Sequence, residues 1–129
     1  MTKNLISAEE HHRRPRSIGG TNLPGNTVYV VAKKHRAWHI LFGNMNALQI
    51  CRSLNKNPYK PEGKKIVCKF INGVEILKEG ANQSKKATKI SYAWKTLFEG
   101  LEFKDIISYI NGTWLDPSYH YYIRRERKK

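Results

Sequence analysis

The sequence predicts an α+β protein, and three observations carry that reading. The run Thr27–Val31 (TVYVV) is β-branched and aromatic, the composition of a strand. From Ala32 onward, Trp38, Leu41 and Phe42 recur at the three-to-four spacing of one helical face. The 129 residues are 40% hydrophobic, with three Trp, seven Tyr and four Phe, enough to bury one compact core.

Residues 5–12 read as a short strand. Residues 13–26 (RRPRSIGGTNLPGN) hold two Pro, three Gly and two Asn and must be loop. Gly19-Gly20 supply backbone freedom there; no G-x-G-x-x-G or Walker pattern accompanies them. The strand Thr27–Val31 leads into the helix from Ala32, which Gly43-Asn44 interrupts. A second helix spans about residues 46–54, with Leu48, Ile50, Cys51 and Leu54 as its apolar side. Residues 55–65 form a polar connection. Residues 66–70 and 74–77 flank Ile71-Asn72-Gly73 and read as a hairpin. Residues 79–85 are loop, and helices fit 86–99 and 103–110. Trp38, Leu41 and Phe42 are expected in the core. For Trp114 and the Tyr119-His120-Tyr121-Tyr122 cluster, packing onto the body is favoured over stacking on bases.

Residues 37–55 (AWHILFGNMNALQICRSLN) echo residues 93–111 (AWKTLFEGLEFKDIISYIN) at a constant offset of 56. Ala, Trp, Leu, Phe, Ile and Asn coincide. Two origins account for this: convergence on one packing pattern, or a degenerate duplicated helix pair with approximate two-fold symmetry. In the second copy His35 becomes Ser91 and His39 becomes Lys95.

Charge points to the partner. Lys and Arg number 24 against 10 Asp and Glu, a net charge of +14, and such an excess attracts polyanions, nucleic acid first among them. Residues 124–129 alone carry +4 and read as a basic tail. No apolar run approaches the ~20 residues of a membrane span, and the first residues lack the apolar stretch of a signal peptide. Cys51 and Cys68 stand apart, which indicates neither a disulfide framework nor a cysteine zinc site. The expectation is a cytoplasmic protein with no membrane partner and no small-molecule cofactor.

The chemistry gathers in the histidines. Four of the five lie within 29 residues: His11, His12, His35 and His39. His35 and His39 are four apart on a helix, so both rings leave one face, the spacing that grips one metal ion. His11 and His12 are neighbours in an extended segment and point to opposite sides, so one can ligate while the other works from another direction. Three neutral imidazoles favour zinc, nickel, cobalt or copper over magnesium on affinity. Such a site serves catalysis through its open positions, or structure as a clip.

The run from His11 to His39 (HHRRPRSIGGTNLPGNTVYVVAKKHRAWH) resembles the His-Asn-His (HNH) nuclease motif, a ββα-metal finger. It is most similar to the version in the nuclease domains of colicins and pyocins, where two adjacent histidines open the motif. The matching features are His11-His12, Pro15, Ser17, Gly19-Gly20, Asn26, a short strand, a Lys-Lys-His turn into the helix, and His39 four residues on. The resemblance covers about residues 9–42; many members carry Asp where His11 stands.

The resemblance implies a metal-dependent endonuclease that nicks double-stranded DNA by a single-metal mechanism. His11, His35 and His39 would ligate one divalent ion: Mg²⁺ or Mn²⁺ for activity, with Zn²⁺ or Ni²⁺ also suited to three histidines. His12 would be the general base, and Asn26 would hold the loop and orient it. Residues 4–10 (NLISAEE) lack the basic residue that bacteriocin nucleases place upstream, so Arg13, Arg14 or Arg16 stands in from the loop. Lys33, Lys34 and Arg36 complete the expected phosphate contacts. The implied organisation is a nuclease core at residues 1–45, a helical and hairpin elaboration at 46–123, and the tail at 124–129. The contrasting function is a non-catalytic, metal-stabilised nucleic-acid-binding module.

Overall fold

The computed structural model describes residues 7–71, 80 and 87–126. Strand β1 (Ala8–His12) pairs antiparallel with β2 (Thr27–Val31), with His11 opposite Val28 and His12 opposite Thr27. The connection contains two short 3₁₀ turns, Arg16–Ile18 and Pro24–Asn26. Gly19 has φ +101, and a Cβ on Gly20 would lie 1.7 Å from the Arg14 carbonyl oxygen, so one glycine is required by conformation and the other by space. Helix α1 (Ala32–Phe42) follows β2 without a break and ends at Gly43. Helix α2 (Ala47–Asn55) opens on a capping box in which Asn46 and Gln49 satisfy each other's backbone amides.

Strand β3 (Lys64–Phe70) then leads to α3 (Ala87–Phe98) and α4 (Phe103–Tyr109), which continues as a π-helical turn, Ile110–Trp114, into β4 (Tyr119–Arg125). The molecule is thus a mixture of helix and sheet, as the residue patterns predict. Helix α1 packs on α3, and the shared core includes Ala37, Trp38, Phe42, Ala93, Trp94, Leu97 and Phe98. Burying each large side chain contributes about 2–3 kcal/mol, so this seam joins the N-terminal third to the rest.

Two differences from the sequence expectation concern β3. It pairs with β4, Ile66 opposite Ile123 and Cys68 opposite Tyr121, whereas the expected hairpin partner at 74–77 lies outside the described residues. Strand β4 covers what in sequence reads as an aromatic cluster and a basic tail. It is a strand because Tyr119, Tyr121 and Ile123 alternate inward while His120, Tyr122 and Arg124 alternate outward. The basic segment therefore begins inside the sheet, at Arg124 and Arg125.

The echo at offset 56 has a structural counterpart. Each copy runs helix, helix, strand: α1, α2 and β3, then α3, α4 and β4. The coinciding asparagines make the same bonds. Asn55 accepts from the Ile66 amide at 2.8 Å and donates to the Ile66 carbonyl at 2.9 Å. Asn111 does the same to Tyr121, at 2.8 Å in both directions. Each amide side chain caps a strand residue of its own copy as a neighbouring strand would. The crossed aromatic stacks correspond as well: Trp38 on Trp114 (5.1 Å, 16°) and Trp94 on Tyr59 (4.6 Å, 6°).

Candidate metal centre

Alternation along β1 turns His11 inward, and the α1 helix presents His35 and His39 one turn apart toward it. Their ligand atoms all lie within 4.8 Å of one another, so these three residues can hold a metal ion. The Nε2 atoms of His35 and His39 are 3.2 Å apart. That matches the separation of about 3.3 Å between nitrogens sharing a tetrahedral cation at ordinary zinc distances.

The outer nitrogens of two rings are fixed. His11 Nε2 donates to the Trp114 carbonyl at 3.0 Å, and His35 Nδ1 donates to Glu9 Oε1 at 2.9 Å. These bonds leave the lone pairs on His11 Nδ1 and His35 Nε2. His11 Nδ1 is buried and has no hydrogen-bond partner. A buried bare lone pair beside two other ring nitrogens is an electrostatic arrangement that a cation relieves. The residues present therefore fit a divalent ion with nitrogen donors.

Burial pushes the His11 pKa down to about 4, with the charges of His35, His39 and Arg13 adding and the Trp114 carbonyl opposing. His39 is lowered too, by burial and then His35, against a hydrogen bond to the Gly43 backbone and the charge of Glu9. Both shifts favour the neutral, ligating form. Trp38 and Trp114 stand edge-on to His11, at 6.1 and 4.9 Å between ring centres. On the other side, a cavity of about 300 Å³ lined by Glu9, His35, Arg36, His39 and Asn44 opens beside the cluster.

His12, on the opposite side of β1, is half-buried, and its Nε2 donates to Asn22 Oδ1 at 2.7 Å. That bond leaves the lone pair on Nδ1. Asn26 is buried and pins the loop: its Oδ1 accepts from the Arg14 amide at 2.7 Å, and its Nδ2 donates to the carbonyls of Arg14 and Thr21. The Asn26 backbone carbonyl also takes the Arg13 amide. Asn26 thus closes the loop next to His12, while the side chain that touches the His12 ring is Asn22.

The expected DNA contacts divide. The Arg13 and Arg14 guanidiniums are both engaged within the protein. Arg13 donates to the Leu115 and Asn111 carbonyls, each at 2.7 Å, and Arg14 pairs with the buried Asp116 at 2.6 Å. The reason is that the Asn111–Asp116 segment presents carbonyls and a carboxylate that these half-buried guanidiniums satisfy. Arg16, Lys33 and Arg36 are exposed, and Lys34 lies over the Tyr109 ring, 5.5 Å from its centre.

Sequence patterns single out none of Glu9, Asn22 and Asp116, and they mark Trp114 only as a residue packed onto the body, where it is fully buried. Glu9 had a signal, being two residues from His11 on the same strand face. The bond from His11 to the Trp114 carbonyl, across 103 residues of chain, had none. Fold and site together define an α+β protein with a three-histidine cluster able to hold a metal ion. No family model, curated protein or solved structure matches the chain. Among the described residues no helix is long and apolar enough to cross a membrane.

Proposed function

We propose that the chain is a metal-dependent endonuclease that nicks double-stranded DNA, with a ββα-metal core of the His-Asn-His type built from β1, β2 and α1. The observation that carries the reading is the buried, partnerless His11 Nδ1 facing His35 and His39, with a second histidine beside it in the strand. A divalent ion held by these three residues would supply positive charge to a non-bridging phosphate oxygen and to the departing 3′ oxygen. His12 takes the proton of the attacking water on Nδ1 as the new phosphorus–oxygen bond forms and the bond to the 3′ oxygen breaks. Asn22 fixes the tautomer that makes this possible, and Asn26 holds the strand end on which His12 is carried. Arg36 at the cavity, with the exposed Arg16 and Lys33, neutralises phosphates. Mg²⁺ or Mn²⁺ suits the activity, while Zn²⁺ or Ni²⁺ suits the three nitrogen donors.

A second reading rests on a separate observation: His11 lies against Trp38 and Trp114, so the cluster is also part of the core. On that reading the ion stabilises a nucleic-acid-binding module without catalysis. Nicking of supercoiled plasmid separates the two. Metal-stripped protein is re-supplied with Mg²⁺, Mn²⁺, Ni²⁺, Co²⁺ or Zn²⁺, beside His12→Ala. The expected result is metal-dependent nicking that His12→Ala loses, by roughly 10³-fold or more, while it still binds one ion. Protein that binds DNA and one zinc but nicks with no metal is the binding module instead.

A further inference from the structure

The β3–β4 ribbon has an outward face that the metal centre does not use. Alternation places Lys65, Val67 and Lys69 of β3 and His120, Tyr122 and Arg124 of β4 on that face. The register sets Lys65 opposite Arg124, Val67 opposite Tyr122 and Lys69 opposite His120. Lys64 and Arg125 are opposite each other at the ribbon's end. All but Val67 are exposed, and Tyr122 shows 41% of its surface.

Two like-charged pairs directly across a ladder destabilise the sheet that contains them. Neither strand contains Asp or Glu, and among the described residues none of the five Lys and Arg side chains forms an ion pair. A groove of about 470 Å³ extends the face toward α4, lined by Lys104, Ser108, Asn111, His120 and Tyr122.

We infer that this ribbon is a second nucleic-acid-binding surface, which seats the phosphate backbone of duplex DNA away from the metal centre. The inference rests on the nuclease reading for the choice of DNA. Lys65 and Lys69 stand four residues, about 13 Å, apart on this face of β3, with Arg124 of β4 directly across from Lys65, and a two-stranded ribbon is narrow enough for the major groove. Tyr122, between His120 and Arg124 on β4, offers a flat contact to sugar or base edge. A bilayer would instead call for apolar side chains interleaved with the cations, and the face carries only Val67 and Tyr122.

The test is anisotropy of a short labelled duplex with the full chain in Zn²⁺, across a range of KCl. Lys65→Gln/Lys69→Gln/Arg124→Gln is compared with Lys56→Gln/Lys89→Gln/Lys95→Gln, which removes the same charge elsewhere. Loss of three phosphate contacts lowers the slope of log K against log salt by about 2.7 and weakens binding roughly 10²-fold at ~0.1 M salt. The control triple keeps the wild-type slope, as does the charge-preserving Lys65→Arg/Lys69→Arg/Arg124→Lys. Equal slopes for the ribbon triple and wild type overturn the proposal. So do equal losses in the two Gln triples, which would reflect bulk charge, and failure of the wild type to bind. A ribbon triple that loses binding to phosphatidylserine vesicles but not to duplex also overturns it, in favour of a membrane. Plasmid nicking is scored separately. Nicking with an unaltered slope sinks the ribbon and spares the nuclease, and a slope change without nicking does the reverse.

Discussion

Helices α1 and α3 bury equivalent residues, Ala37 and Ala93, Trp38 and Trp94, Phe42 and Phe98, yet they present different chemistry to their surroundings. On α1 the positions one turn apart are His35 and His39; on α3 they are Ser91 and Lys95. In the first copy β1 lies alongside, and His11 fills the space between α1 and Trp114. In the second, the equivalent region is a cavity of about 490 Å³ lined by Tyr59, Ser91, Trp94 and Lys95. The comparison teaches that the helix pair is a scaffold and that the N-terminal hairpin makes a site of it. The hairpin supplies the third imidazole and, through Glu9, the partner that orients His35. The second copy's contribution to the site comes through Trp114, whose carbonyl fixes His11.

The largest expected effect breaks the equivalence outright. His39→Ala should lower metal affinity below detection in Co²⁺ titration and reduce nicking by roughly 10³-fold. Lys95→Ala, at the matching position, should leave the affinity and the nicking rate at wild-type values. A Lys95→Ala protein that lost the ion would show that the cluster depends on the second copy through more than Trp114.

How much of this was legible in the sequence depends on separation along the chain. The pairing of His35 with His39 and the division between His11 and His12 follow from helical and strand periods, which are local. So does the break at Gly43-Asn44. The β4 strand was not legible as such, because its partner lies 49 to 61 residues away and its run YHYYIRR ends in cations that resemble a tail. The internal partners of Arg13 and Arg14 were not legible for the same reason: the Asn111–Asp116 carbonyls and carboxylate that hold them are about 100 residues distant. The repeat could be seen as an offset of 56, but its meaning needed the two asparagines. Their identical bonds to Ile66 and Tyr121 make the coincidence structural, whereas apolar positions alone record only that both helices are half-buried.

The asparagines give the intermediate effect. Asn55→Ala and Asn111→Ala each remove the side-chain partner of one strand amide and one strand carbonyl, at the buried residues Ile66 and Tyr121, with the Ile66 carbonyl still accepting from the Cys51 thiol. Each substitution should cost about 2 kcal/mol of stability in urea unfolding. Similar losses in the two variants would sharpen the correspondence between the copies. If Asn111→Ala cost twice as much as Asn55→Ala, the excess would report its place beside the Arg13 anchor, and the copies would be unequal even in their shared bonds.

The smallest effect belongs to the seam between the copies, where Cys68 of β3 faces Tyr121 of β4. Burial pushes the Cys68 thiol up to about 12, with Cys51 and Asp116 adding, and holds Tyr121 well above its usual range, chiefly by burial. In the unfolded chain the thiol releases its proton near 9, the ordinary value. Between about pH 9 and 12 the unfolded state therefore binds fewer protons than the folded one, and stability falls as pH rises. Below 9 both states hold the proton and this contribution is flat. Thermal melting followed from pH 8 to 11 should show a fall of a few degrees beginning near 9, smaller in Cys68→Val because that thiol is gone and only Cys51 and Tyr121, both raised chiefly by burial, remain at the seam. An unchanged fall in Cys68→Val would take the alkaline sensitivity away from Cys68 and assign it to Cys51 and Tyr121.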